Sequence, residues 1–301
     1  MDVVRHHGQS AGNSGDGPDG LATPTVLRIG LGSALRRLRE RAGIGRETAS
    51  DIVRGSVAKI SRMELGRVGF KIRDIADLLT LYGVTDPKER GEFLRLARQA
   101  NEPGWWHRFA DLLPGWFGTY LGLEQAASVI RTFELQFIPG LLQTPDYARA
   151  VTQLATTRAE EIERRVELRM HRQQLLDQPH APRYWAVIDE SALRRWVSSD
   201  PGVLRDQLAH LIRMSERPNI SLQFVPLGKG GHPAAGGSFT LLRFAQHDLP
   251  DVVYLEQLTS ALYLDKRSDA THYAMVMDRL VTKLDPPSDA PRLLSQICQE
   301  I

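Results

Sequence analysis

Residues 43–66, GIGRETASDIVRGSVAKISRMELG, read as a short helix, a tight turn and a second helix. The first helix is expected over 47–53, where small Ala49 lets its partner cross closely and Ile52 and Val53 reach the core. Gly55 is the expected turn residue, because a side chain held at positive φ there would be strained. Ser56 is placed to cap the second helix by accepting one of its unpaired first-turn N–H groups. Val57, Ile60 and Met63 or Glu64 follow at spacings of three and four, which buries one stripe and leaves Ala58, Lys59, Ser61 and Arg62 on the other face. Such a face suits the DNA major groove, where Arg grips guanine and Lys neutralises a phosphate. The competing reading is a helical hairpin whose basic face is merely solvated.

The charge distribution bears on that choice. Residues 28–73 hold twelve Lys/Arg and four Asp/Glu, a net of +8 in a chain whose total is +2, so the remainder carries −6. A basic end joined to a differently employed body is the footprint of a nucleic-acid-binding module. At 301 residues the chain is long enough for two domains, and 42% hydrophobic with 25% charged residues is ordinary for a globular protein. Cys298 is the single cysteine, which excludes an internal disulfide and a cysteine-based zinc site. No apolar run approaches a membrane span, so a cytoplasmic, nucleoid-associated location is expected and no membrane partner.

Residues 1–26 are rich in Gly, Ser, Asp and Asn and are expected to form a disordered tail, in which His6 and His7 make only a weak metal pair. From Leu27 the spacing of Ile29, Leu31, Leu35 and Leu38 predicts a helix ended by Gly43. Further helices are predicted over 72–82 and 86–100, the latter burying Phe93, Leu94 and Leu96, so that 27–100 form an all-α domain. LGSALRRLRERAG, AKISRMELGR and DIADLLTLYGV then resemble the helix-turn-helix domain of the lambda-repressor-like (Xre, Cro/C1) regulators. The resemblance implies that Ser56, Val57, Lys59, Ser61 and Arg62 approach bases or phosphates. It departs at Gly45-Arg46, where the family commonly has Thr-Gln, the Gln reaching the backbone and the recognition helix, while Arg46 would favour phosphate. Arg36, Arg46 and Arg67 are the further candidates for DNA contact.

Residues 101–120, NEPGWWHRFADLLPGWFGTY, hold three of the five tryptophans. They read either as a packing hub that joins the two domains or as a partner or ligand pocket formed by Trp105, Trp106, Trp116, Phe117 and Tyr120. After a helix over 122–127, alternation through Ile130, Phe133, Leu135 and Phe137 predicts a strand. Thr144-Pro145 opens a helix. A charged helix is expected over 158–178. Strands at 184–189, in ISLQFVPL and in about three later segments alternate with helices up to 284. The expected architecture is multidomain: an all-α lambda-repressor-like helix-turn-helix domain, then an α+β domain over 101–285 with a largely antiparallel sheet, then a C-terminal tail over 286–301 with room for one more short helix. With PGLLQTPDYARA above all, this second part resembles an actinobacterial C-terminal domain of unknown activity. That domain is found behind Xre-type modules in WhiJ-like, antitoxin-like regulators.

No catalytic or cofactor motif accompanies these elements. GKGGHPAAGG, residues 228–237, lacks the Gly-Lys-Ser/Thr of a P-loop and precedes a strand, so it reads as a connection between strands. His107 and His232 have no sequence-near partners for chemistry, while Asp189, Glu190 and Glu256 are the acids to inspect for a pocket. The expected function is a non-enzymatic, sequence-specific transcriptional regulator that binds double-stranded DNA as a homodimer and needs no cofactor. Its body would dimerise, sense a ligand or bind a partner. The alternative is an antitoxin-like protein whose main partner is a small protein encoded by a neighbouring gene, as the resemblance implies. A small-molecule sensor or enzyme using the 105–120 aromatics is the third.

Overall fold

In the computed structural model, residues 23–229, 231–234, 236–245 and 249–301 are described. The tail expected over 1–26 lies outside them up to residue 22. Thr23–Val26 do not belong to a tail. Thr23 caps α1 (Pro24–Arg41), its hydroxyl oxygen accepting from Val26 N, and Pro24 opens the helix three residues before the expected start. Gly43 ends it at φ +66°. The helices α2 (Arg46–Ile52), α3 (Val57–Glu64), α4 (Ile72–Leu81) and α5 (Pro87–Ala100) close around a core of Leu35, Ala49, Ile60, Ile75 and Leu79. In α5 the small Ala97 and Ala100 are buried, while Phe93, Leu94 and Leu96 are only partly covered.

The chain then crosses to the second domain through a 3-10 turn at Trp105–Phe109 and α6 (Phe117–Ala126), which begins five residues earlier than expected. The strand β1 (Val129–Glu134) ends before Leu135. It is followed by α7 (Pro145–Gln153), α8 (Ala159–Gln173), β2 (Arg183–Asp189), α9 (Glu190–Arg194), α10 (Pro201–Ser215) and β3 (Ile220–Val225). Three strands complete a six-stranded sheet: β4 (Phe239–Arg243), β5 (Val252–Glu256) and β6 (Ala261–Leu264). The order is β3-β2-β1-β4-β5-β6. β1 to β3 are parallel, since helical crossovers separate them, and the other three pairings are antiparallel. The sheet is therefore mixed and mostly antiparallel. Residues 228–237 join β3 to β4 in sequence, and within them His232 meets the Phe133 ring edge-on.

One face of the sheet packs Ile130, Tyr184, Leu222 and Leu242 under helices, and the other packs Phe133, Val187, Leu241 and Val253 against Met277 and Leu280 of α11 (Arg267–Val281). Residues 286–301, expected as a tail with room for one short helix, are docked on the body. They form α12 (Ala290–Glu300), whose Leu294 and Ile297 are fully buried and whose Glu300 meets Arg194. The spacing of Ala290, Leu294 and Ile297 by four and three gives that helix the apolar stripe that holds it.

The two domains touch closely. Val26 belongs to the core of the second domain, Thr23 Oγ1 donates to Gly122 O at 2.9 Å, and a Cβ at Gly122 would stand 2.0 Å from Thr25 Oγ1. Trp106 lies between glycines: a Cβ at Gly104 would stand 2.4 Å from its ring.

Candidate functional site

α3 is held from behind by a buried charge cluster. Glu64 accepts from Arg39 Nε at 2.5 Å and Nη2 at 3.2 Å and from Arg46 Nε at 3.1 Å, while Arg39 Nη1 donates to Ile44 O. Glu64 and Arg39 are both buried, so this clamp ties α1, α2 and α3 into one unit. Backbone contact reinforces it: a Cβ at Gly32 would stand 2.4 Å from Met63 O, so only glycine lets α1 lie this close to α3.

The residues expected to contact DNA divide under this geometry. The Ser56 side chain accepts from Lys59 N at 3.2 Å, capping α3 while its O–H remains free to donate. Val57, expected in the buried stripe, is 40% exposed at the helix start; Ile52, expected in the core, is 41% exposed. Both lie beyond the curve of the core that Ile60, Met63 and Val53 fill. Arg62 is exposed and, among the described residues, makes no hydrogen bond or ion pair, and Ser61 is half-buried beside it. Lys59 is not free: its Nζ lies 2.5 Å from Asp74 Oδ2. Arg46 is engaged by Glu64, which ties it to the end of α3. Arg36 pairs with Glu40 at 2.8 Å on the surface, and Arg67 reaches Tyr263 O at 3.4 Å. Arg54 escaped the sequence reading. It sits exposed at φ +48° in the turn before α3, so the left-handed residue is Arg54 and not Gly55. Its signal was a lone basic residue beside the turn glycine.

The aromatic stretch also divides. Trp106 and Phe109 are buried between the domains, and Trp105 packs on His171 with ring centroids 4.2 Å apart. Trp116 lends its carbonyl to the Tyr263 hydroxyl. Phe117 and Tyr120 face a cavity of about 360 Å³ between the sheet and helices α6 and α8, and Trp105 borders a smaller one beside His171. The sheet wall of that cavity is polar where a buried face is normally apolar. Thr132, Thr240 and Tyr254 stand directly across β1, β4 and β5, and Glu134 and Glu256 follow on the same face. The helix wall carries Arg169 and Arg172. Glu124 binds Arg172 bidentately at 2.9 and 2.8 Å; burial works against this guanidinium's charge, yet the carboxylate keeps its pKa above the ordinary value. Arg169 donates to Gln143 Oε1 at 2.7 Å, and burial followed by the Arg172 charge pushes its pKa down to about 10. Burial lifts Glu134 to about 7, with the Ser238 hydroxyl opposing and Glu256 adding to the rise.

The motif PGLLQTP frames this cavity. Gly140 lies beside both arginines, and Gln143 aligns Arg169 while donating to Ile138 O. Of the acids singled out in the sequence, Asp189 caps α9 and Glu190 meets Arg194 and Leu227 N, so only Glu256 reaches the cavity. The missed signal was the run of inward-facing polar residues on β1 and β5. Among the described residues no His, Cys, Asp and Glu cluster is arranged to hold a metal. No helix there is long and apolar enough to cross a membrane.

A model of a helix-turn-helix domain matches residues 31–93, which supports a DNA-binding regulator. A model described as a domain of unknown function (DUF5753) matches residues 117–296. No curated protein and no solved structure matches the chain. Because the second match spans more than half of the 301 residues, the chain belongs to the DUF5753 family, with a helix-turn-helix domain ahead of the family's domain.

Proposed function

We propose that the protein is a sequence-specific transcriptional regulator of the lambda-repressor-like (Xre, Cro/C1) type that inserts α3 into the DNA major groove. The observation that carries this reading is the face of α3, where Val57 and Arg62 stand exposed, and Arg62 unpaired, on a helix fixed from behind by Glu64. Val57 offers a methyl contact to thymine, Ser61 and Arg62 offer hydrogen bonds to base edges, and Arg36, Arg54 and Arg67 meet phosphates. The protein acts by binding and not by catalysis, in the cytoplasm at the nucleoid. It acts as a homodimer on a two-fold operator with half-sites about one helical turn apart. An antitoxin-like use of the body, capturing a small partner protein from a neighbouring gene, draws on the exposed Leu258 and Leu262 at the sheet edge.

The test is capture and sequencing of genomic fragments by the purified protein at about 0.15 M salt, where surface charge is partly screened. A shared palindrome that Arg62→Ala no longer retains supports the reading. Random fragments, or equal retention by the variant, overturn it.

A further inference from the structure

The cavity bounded by α6, α8 and the sheet holds two groups of opposite charge, Arg169 and Glu134, that have no ion-pair partner among the described residues. Arg172 is satisfied by Glu124, but Arg169, one turn away on α8, has among the described residues only the neutral Gln143 amide as its hydrogen-bond partner. Glu134 is acted on by a charge of its own sign, Glu256. The buried Tyr254 hydroxyl on the cavity wall is a neighbour of Glu256 but, among the described residues, completes no hydrogen bond of normal geometry. Natural cores pair such groups or exclude them, so their grouping around one void marks a place prepared for a ligand.

The charges also select the ligand. A polyanion that satisfied Arg169 would meet Glu256 and Glu134, and a simple cation would leave Arg169 unmatched. One molecule carrying both charges satisfies both. The adjoining vestibule is mainly apolar, with Leu113, Phe137, Leu154 and Leu258 on its walls beside Arg165 and Gln136. A void of about 360 Å³ is at the small end of ligand sites. We propose that this pocket binds a small zwitterion with an apolar substituent, of the amino-acid or dipeptide class. Its carboxylate lies on Arg169, its ammonium on Glu134 and Glu256, and its apolar part in the vestibule.

The same pocket is joined to the DNA-binding domain, and this link rests on the function proposed above. Phe117, Tyr120 and Glu124 face the cavity from one side of α6. On the other side, the α6 backbone at Gly122 is the seat of Thr23 and Thr25 of α1. Tyr120 stacks on Tyr254, Tyr254 on Tyr263, and Tyr263 O accepts from Arg67 just past α3. Ligand occupancy therefore changes DNA affinity through α6 and the tyrosine row.

Calorimetric titration of the full chain with L-leucine, L-phenylalanine and leucyl-leucine tests the pocket. Leucine amide and N-acetyl-leucine serve as probes lacking one charge each. Saturable binding of a zwitterion, at least tenfold weakened by removing either charge and lost in a folded Arg169→Gln variant, is expected. No binding at about 10 mM, equal binding of the blocked probes, or unchanged binding by Arg169→Gln overturns the pocket. Fragment retention is then measured with and without the bound zwitterion. Unchanged retention overturns the coupling. Absence of any retained fragment strikes the DNA reading instead, and the titration still judges the pocket.

Discussion

Glu64 and Glu134 are both removed from bulk water on regular elements, and the molecule treats them in opposite ways. Glu64, on α3, receives three hydrogen bonds from Arg39 and Arg46. Glu134, on β1, has burial and the Glu256 charge acting to raise its pKa and only Ser238 opposing. The arginines differ in the same sense, Arg39 being bidentate to a carboxylate and Arg169 bonded to an amide. Where charges are matched internally the cluster is scaffold, and its energy is spent on holding the exposed face of α3. Where they are left unmatched the fold bears a cost that a bound molecule relieves.

The contrast breaks most visibly at Glu64. Glu64→Ala strands the buried Arg39 and is expected to cost about 3–5 kcal/mol, enough to unfold the first domain in a circular-dichroism melt. A cost under about 1 kcal/mol, the range of exposed pairs, would show that the clamp is not structural. Arg62→Ala should leave the melting temperature unchanged and weaken operator binding by about 1–3 kcal/mol in a mobility-shift titration. Lys59→Ala, by contrast, breaks the ion pair with Asp74 and should lower both stability and affinity.

At the other pole the sign reverses. Arg169→Gln removes a buried, unmatched cation while keeping a donor for Gln143, and should raise the melting temperature by about 2–4 °C. A fall of that size would place Arg169 with the scaffold charges. Glu134→Gln sharpens the point through pH. Its folded pKa of about 7 lies above the ordinary 4.5, so the protonated form is favoured in the fold. Its contribution to stability is fullest below about 4.5 and is lost as pH rises through 7. The variant should melt higher than the parent at pH 8 and alongside it at pH 5 in parallel scanning calorimetry. The smallest effect is expected at Arg54→Gly, which relieves a left-handed backbone at φ +48° worth about 1 kcal/mol. That variant should be slightly more stable and bind DNA slightly less well.

Much of the first domain was legible in one dimension because its signals are local. Cap residues, glycine stops and the three-and-four spacing of apolar residues depend on neighbours within a turn or two, and they placed α1 through α5 within a few residues. What failed there was non-local: Ile52 and Val57 carry apolar side chains, yet the core curves away from them, and Lys59 is drawn to Asp74 fifteen residues on. In the second domain the strands and helices are legible, and so is room for a short helix after Pro286, but the docking of α12 on the body is not, because its partners lie far away in the chain. The aromatic stretch is divided by the fold, since Trp106 packs between domains and Tyr120 faces the cavity.

By itself the sequence determined that a basic helical end precedes an α+β body, because charge balance and periodicity are sums over neighbouring residues. Only the tertiary structure decided which charges are free. Pairing Arg39 with Glu64, or leaving Arg169 without a carboxylate, depends on elements brought together from distant parts of the chain. In a low-dielectric interior a charge acts according to its nearest partner in space.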